Sequence, residues 1–181
     1  GWDRREVAMR LQVAAGLGIT DSASRICGWL GANRDRFEPV MGTGLGDAPI
    51  CSIAVGDSVL PTDPTNLTLD ECDRLVPAAL DGKAVHVGHY LEPRLVYTTE
   101  GYLTAPTAVE GRRTMHIGID LFAPDGRPVH TPLEGEVVTA LDRANPQDYG
   151  GTVVLRHTTD DGDAFFTLYG HLDPALSLIH I

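Results

Sequence analysis

Met115-His116-Ile117-Gly118-Ile119-Asp120-Leu121 sets an imidazole and a carboxylate four positions apart, with a glycine midway and isoleucines in the gaps. In a strand alternate side chains share a face. His116, Gly118 and Asp120 then point one way, and Ile117, Ile119 and Leu121 point the other way, toward a core. A helix would also bring positions i and i+4 together, but the paired isoleucines, the glycine and Pro124 argue against one. A straight strand would hold the two Cα atoms roughly 13 Å apart, at about 3.3 Å per residue, too far to share one ion. The backbone is therefore expected to bend at Gly118, which also leaves space between the two groups. An imidazole with a carboxylate suits zinc, and the supply of further histidines becomes decisive.

Extended chain surrounds this stretch. Lys83 to Val87, Pro93 to Thr98, His116 to Phe122, Glu136 to Leu141, Thr152 to His157 and Ala164 to Tyr169 read as strands. Turns separate them at 123–126 (APDG), at 133–135 (LEG) and at the acidic tip 160–163 (DDGD), which is a hairpin signal. Earlier in the chain, residues 4–16 carry Val7, Leu11 and Ala14 on one helical stripe, and Asp21 is placed to cap a second helix over SASRICGWLG. Together these suggest a helical hairpin. The glycine-rich 42–47 stretch lacks the following lysine of a phosphate loop and reads as a turn-rich linker. Residues 50–60 are a candidate strand, and Thr68 to Glu71 form a capping box ahead of a helix that ends near Pro77.

The pattern predicts an α+β chain. A mixed, partly helical segment over 1–83 precedes a mostly antiparallel, β-rich domain over 84–178, and 179–181 is read as a non-native tail. Fourteen basic against twenty-five acidic residues give a net charge of −11, which disfavours nucleic-acid and anionic-membrane partners. No apolar run approaches a membrane span, and the charged N-terminus lacks the apolar core of a signal peptide, so a cytoplasmic setting is expected. Cys27, Cys51 and Cys72 are too few and too scattered for a disulfide framework and read as reduced, mostly buried thiols. Gly1 in place of methionine and the abrupt LSLIHI ending suggest a chain cut at both ends.

His171, in Tyr169-Gly170-His171-Leu172, ends the second hairpin strand and is the candidate partner for the His116 and Asp120 pair. His86, His89, His130 and His157 read as ordinary structural or surface residues. In order, HIGIDLFAPDGRPVHTPLEGEVV, YGGTVVLRH and FFTLYGHL over 116–173 resemble the core of the lysostaphin/LytM-type zinc metallopeptidases. The resemblance implies that His116 and Asp120 are zinc ligands and that His171 is a catalytic histidine. It also implies a peptide or peptidoglycan-like substrate cleaved by metal-activated water. The family's His-x-His strand, which supplies the third ligand and a second catalytic histidine, has no counterpart, and His180 is a poor surrogate. This chain is therefore expected to bind zinc weakly and to be inactive, whereas a version extended through that strand is expected to be active.

A weaker resemblance, carried by GHYLEPRLVYTT and an arginine-rich lead-in to HIGIDLFAP, is to bacterial fusions of phosphotransferase-like, peptidase-like and class III aminotransferase domains. It implies covalently linked neighbouring domains. It also supports the alternative of a non-catalytic, degenerate peptidase-fold module within a larger cytoplasmic enzyme. A sugar phosphocarrier of the glucose-specific type also carries a His-x-Gly-Ile-Asp run. There, however, the Pro-x-x-Gly-x-Val-like strand precedes the run, whereas here PLEGEV follows it.

Overall fold

The computed structural model describes residues 20–56, 68–78, 80, 85–94, 96–97, 102–103, 113–143, 145 and 147–175. By contact they form two compact units, one holding the residues up to Gly42 and from Pro128 onward, the other those from Thr43 to Arg127. The stretch 84–178 thus contributes to both. The chain is α+β with antiparallel sheets, most of the strand residues lying in its C-terminal part. Among the described residues no helix is long and apolar enough to cross a membrane. The helix expected over 4–16 and the terminal residues 176–181, His180 included, lie outside the described residues.

In the 43–127 unit two extended segments run antiparallel. β1 (His86–Val87) pairs with β4 (Leu121–Phe122), and β2 (Glu92–Pro93) pairs with β3 (Met115–His116). These two short ladders share a single register. His86 lies opposite Phe122 and Val87 opposite Leu121, then Glu92 opposite His116 and Pro93 opposite Met115. Hydrogen bonds from Gly88 N to Asp120 O (2.8 Å) and from Arg94 N to Thr114 O (2.6 Å) extend both ladders in that register. They are the two ends of one ribbon interrupted at 88–91 and 117–120. Residues 116–122 are therefore not the continuous strand expected. Ile117 and Ile119, expected to face a core, are 71% and 59% exposed, because the interruption turns them outward.

Residues 50–60 are likewise not a regular strand over their described part. Ile50 forms an isolated parallel bridge to Val87, Cys51 N bonds Val87 O, and Val55 N bonds Pro93 O, so the segment follows the broken ribbon and inherits its irregularity. The glycine-rich segment before it is a series of turns. α2 (Leu69–Ala78) has the expected capping box: Thr68 Oγ1 accepts from Glu71 N at 3.2 Å, and Glu71 Oε2 accepts from Thr68 N at 3.0 Å. Pro77 lies within its last turn.

The other unit is built on a meander of β5 (Glu136–Arg143), β6 (Gly150–Thr158) and β7 (Ala164–Leu172). The acidic tip closes β6 onto β7 as the sequence predicts. Gly162, at φ +87°, and bonds from Thr159 N to Asp163 O and from Gly162 N to Thr159 O set the turn. α1 (Asp21–Ala32) is capped by Thr20, whose Oγ1 accepts from Ala23 N, and not by Asp21, which is the first helical residue. Cys27 on α1 is exposed, contrary to the buried thiol expected, whereas Cys51 is buried.

α1 is tied to the acidic tip by polar contacts. Arg25 pairs with Asp163 at 2.7 Å, Trp29 Nε1 donates to Asp160 at 2.9 Å, and Arg36, in a short 3-10 turn over Arg34–Arg36, pairs with Asp160 at 3.0 Å. The hydrogen bond from Arg25 holds the Asp163 carboxyl below its ordinary range, and those from Trp29 and then Arg36 do the same for Asp160. A carboxyl depressed by folding contributes stability above its unfolded pKa, about 3.9, and loses it as pH falls through the lower folded value. Acidification below about pH 4 should therefore release α1 from the tip. In a Trp2→Phe background the emission of Trp29 should shift over that range, and Asp160→Asn combined with Asp163→Asn should abolish the step.

Candidate functional site

The single register decides which side chains meet in the 43–127 unit. Alternation places Glu92 and Arg94 on one face of their segment, and pairing sets His116 opposite Glu92 on the same face. In a straight ribbon Asp120 would lie about 20 Å along the chain from the partner of Arg94, at about 3.3 Å per residue. Instead Arg94 Nη2 donates to Asp120 Oδ2. The interruption is thus a sharp fold in the ribbon, which brings its two ends onto one cluster. Leu91, held at φ +56° directly before Glu92, carries part of the backbone cost of that fold.

Two glycines make the close approach possible. A Cβ on Gly88 would lie 3.2 Å from Asp120 Cβ, and one on Gly118 would lie 3.0 Å from His116 Nε2 and 3.2 Å from Cε1. The space expected beside Gly118 therefore holds the His116 ring. His116 Nε2 lies 3.7 Å from Asp120 Oδ1, so the structure brings these two predicted residues together across the bend.

Behind the pair lies a buried ionic network that the sequence reading missed. Glu92 is 1% exposed and Arg94 4%. Glu92 Oε1 accepts from Ser52 Oγ at 2.9 Å and from Ile53 N at 3.1 Å, and Oε2 accepts from Arg94 Nε at 2.6 Å. Arg94 Nη1 donates to the Tyr97 hydroxyl at 2.9 Å, and Tyr97 stacks on Tyr102 with ring centroids 4.4 Å apart. Burial alone would lower the Arg94 pKa, but Asp120 first, then Tyr97 and Glu92, hold it above its ordinary value. Burial pushes the Cys51 thiol up, and Glu92 and Asp120 add to the effect, which keeps it an inert thiol.

A zinc ion takes N and O ligands at about 2.0–2.2 Å, so two tetrahedral ligands lie roughly 3.3–3.6 Å apart. The His116 and Asp120 donor atoms, 3.7 Å apart, lie just beyond that spacing and would take two positions of such a site after a small closure. Among the described residues no group of three or more His, Cys, Asp or Glu side chains is placed to hold a metal ion. Glu92 and Asp120 together outnumber the one arginine between them by one charge, which leaves the cluster a net attraction for a cation.

His171 belongs to the other unit. It lies in an irregularity of β7, where Gly170 and His171 stand against the single Thr152 of β6, at φ +58°, and its N donates to Tyr149 O at 2.6 Å. A non-glycine residue in that conformation is costly, and bulges of this kind re-aim side chains. Its ring is exposed and tilted against Tyr149, with centroids 6.4 Å apart. His157 is different. It is 2% exposed, with Nδ1 bonded to Glu134 O and Nε2 to Thr167 Oγ1, both at 2.8 Å, and it stacks on Phe165. It borders a cavity of about 370 Å³ shared with Trp29, Arg36 and Arg156, but both its nitrogens are engaged. This is the structural histidine the sequence suggested.

Residues 114–178, a stretch that contains His116, Asp120 and His171, match the family model Peptidase family M23. The match supports a metallopeptidase-like character for this segment. Comparison with curated proteins and with solved structures gives no match.

Two outcomes follow from these contacts. His157→Ala should lower stability by about 2–4 kcal/mol in urea unfolding, because it opens a cavity and leaves the Thr167 hydroxyl and the Glu134 carbonyl without their partner. Gly118→Ala should cost less than about 1 kcal/mol, because the clash is with a movable ring. It should nevertheless displace that ring, seen as a changed His116 Cε1–H NMR signal with the other imidazole signals unmoved.

Proposed function

We propose that the segment 114–178 is the catalytic part of a zinc-dependent peptide hydrolase of the LytM type, acting on peptide or peptidoglycan-like substrates. The observation that carries this reading is the convergence of His116 Nε2 and Asp120 Oδ1 to 3.7 Å inside the stretch that matches the peptidase family. His116 and Asp120 would hold the ion, His116 as a neutral nitrogen donor and Asp120 as an oxygen donor. When bound, zinc supplies a Lewis acid and an acidified water at neutral pH. His171 is assigned the proton-handling or oxyanion-steadying role. The strained backbone at His171 supports that role, because such strain concentrates where a side chain must be aimed. The proposed setting is cytoplasmic, within a larger chain of covalently linked domains.

A second reading is favoured by a specific contact. Asp120 Oδ2 is already bonded to a buried arginine, so the cluster carries an internal cation, as a degenerate, non-catalytic module would. Zinc titration separates the two. In competition with a chromophoric chelator the protein should take up zinc, and His116→Ala or Asp120→Ala should each weaken uptake by more than about 100-fold, beyond what loss of an outer partner costs. Uptake that neither substitution changes would sink the peptidase reading and leave the module.

A further inference from the structure

We propose that Arg94 is a positioning residue for Asp120, and that the buried relay from Ser52 through Glu92 to Arg94 assigns the two carboxylate oxygens separate tasks. The proposal rests on the zinc reading above. A carboxylate facing a cation can bind through either oxygen or both, and a side chain free to rotate loses affinity to that choice. Here the choice is already made. Oδ2 is held by Arg94 Nη2, and Oδ1 is the oxygen that faces His116 Nε2.

The guanidinium cannot swing away. Its Nε is held by Glu92 Oε2 at 2.6 Å and its Nη1 by the Tyr97 hydroxyl at 2.9 Å, so all three nitrogens are engaged in a fixed plane. Glu92 is fixed in turn by the Ser52 hydroxyl and the Ile53 amide. Asp120 is pinned from its backbone side as well, through Gly88 N to Asp120 O at 2.8 Å. The relay uses groups that are almost wholly buried, where such bonds are strong and their loss is expensive. A cation at Oδ1 and the arginine at Oδ2 occupy different oxygens, so Arg94 supports the ligand without taking its place.

The alternative, that Arg94 merely competes with the ion for Asp120, predicts an effect of opposite sign. Removing a competing positive charge strengthens binding of a dication, whereas removing a positioning group weakens it. Arg94→Gln alone strands Glu92 as an unpaired buried charge, so the informative variant is the charge-balanced Glu92→Gln/Arg94→Gln pair, with folding checked by circular dichroism and urea unfolding. Chelator competition with zinc should show this variant binding about 10–100-fold more weakly than the parent. The d–d absorption of the cobalt-substituted protein should change in the same variant. Arg94→Lys should recover only part of the loss, because one ammonium cannot bridge Glu92, Tyr97 and Asp120. In an Asp120→Ala background the same two substitutions should change zinc affinity little, since the effect passes through Asp120. Unchanged or tighter binding by the folded double variant, or an equal loss without Asp120, overturns the proposal while leaving the zinc site standing. A parent protein that takes up no zinc overturns both.

Discussion

One buried guanidinium holds the 43–127 unit in its bent form. Arg94 joins Glu92 at one end of an antiparallel ribbon to Asp120 at the other, and both ends keep one register although the middle is broken. A ribbon with its own right-handed twist has no intrinsic reason to fold so sharply. The reason lies in charge. Glu92 and Arg94 are already paired within their own segment, and the fold adds Asp120 as a second carboxylate partner for the buried guanidinium. The same bend turns Ile117 and Ile119 out to solvent, a sacrifice of apolar burial that the ionic cluster must offset.

The bend and the candidate site are therefore one feature. His116 and Asp120 approach each other only because the ribbon folds, and Gly88 and Gly118 leave the room that Asp120 and the His116 ring take up in that fold. The buried residues show the same bias. Among the described residues of this unit, Ser52, His86, Glu92 and Arg94 are buried, beside the apolar Cys51, Ala54 and Val85. A buried polar cluster with its partners satisfied fixes geometry, at a cost in desolvation.

Much of the other unit was legible from local pattern alone. β5, β6 and β7 have near-alternating sequences closed by an Asp-Asp-Gly-Asp tip, and they appear with ends extended by one to three residues. His116 and Asp120 were legible as a pair, since the spacing demanded a bend and a glycine stood where the bend had to be. Three things were not legible. The length of the strand through 116–122 was overestimated, because period-two alternation cannot see that the same residues are split between two pairings. The cap of α1 was misplaced by one residue, because Thr20 and Asp21 are both good caps and only the chain entry angle decides between them. Arg94 was missed because an arginine two residues after a glutamate is unremarked on any surface strand. Its role depends on a partner 26 positions away.

That last miss shows where sequence reading fails for a site of this kind. The residues that touch a ligand come in short, spaced motifs, because they share a strand or a turn, and spacing is visible. The residues that hold them come from whichever segment lies opposite, and their spacing from the motif is set by the length of the connecting loop, which carries no chemical signal. Register restores the link: once Glu92 is set opposite His116, alternation alone places Arg94 on the same face, and the bend that joins His116 to Asp120 carries Asp120 to it. The buried Glu92 and Arg94 and the half-buried Asp120 bring two carboxylates to one arginine, and the Asp120 oxygen that Arg94 does not hold is the one that faces an imidazole nitrogen.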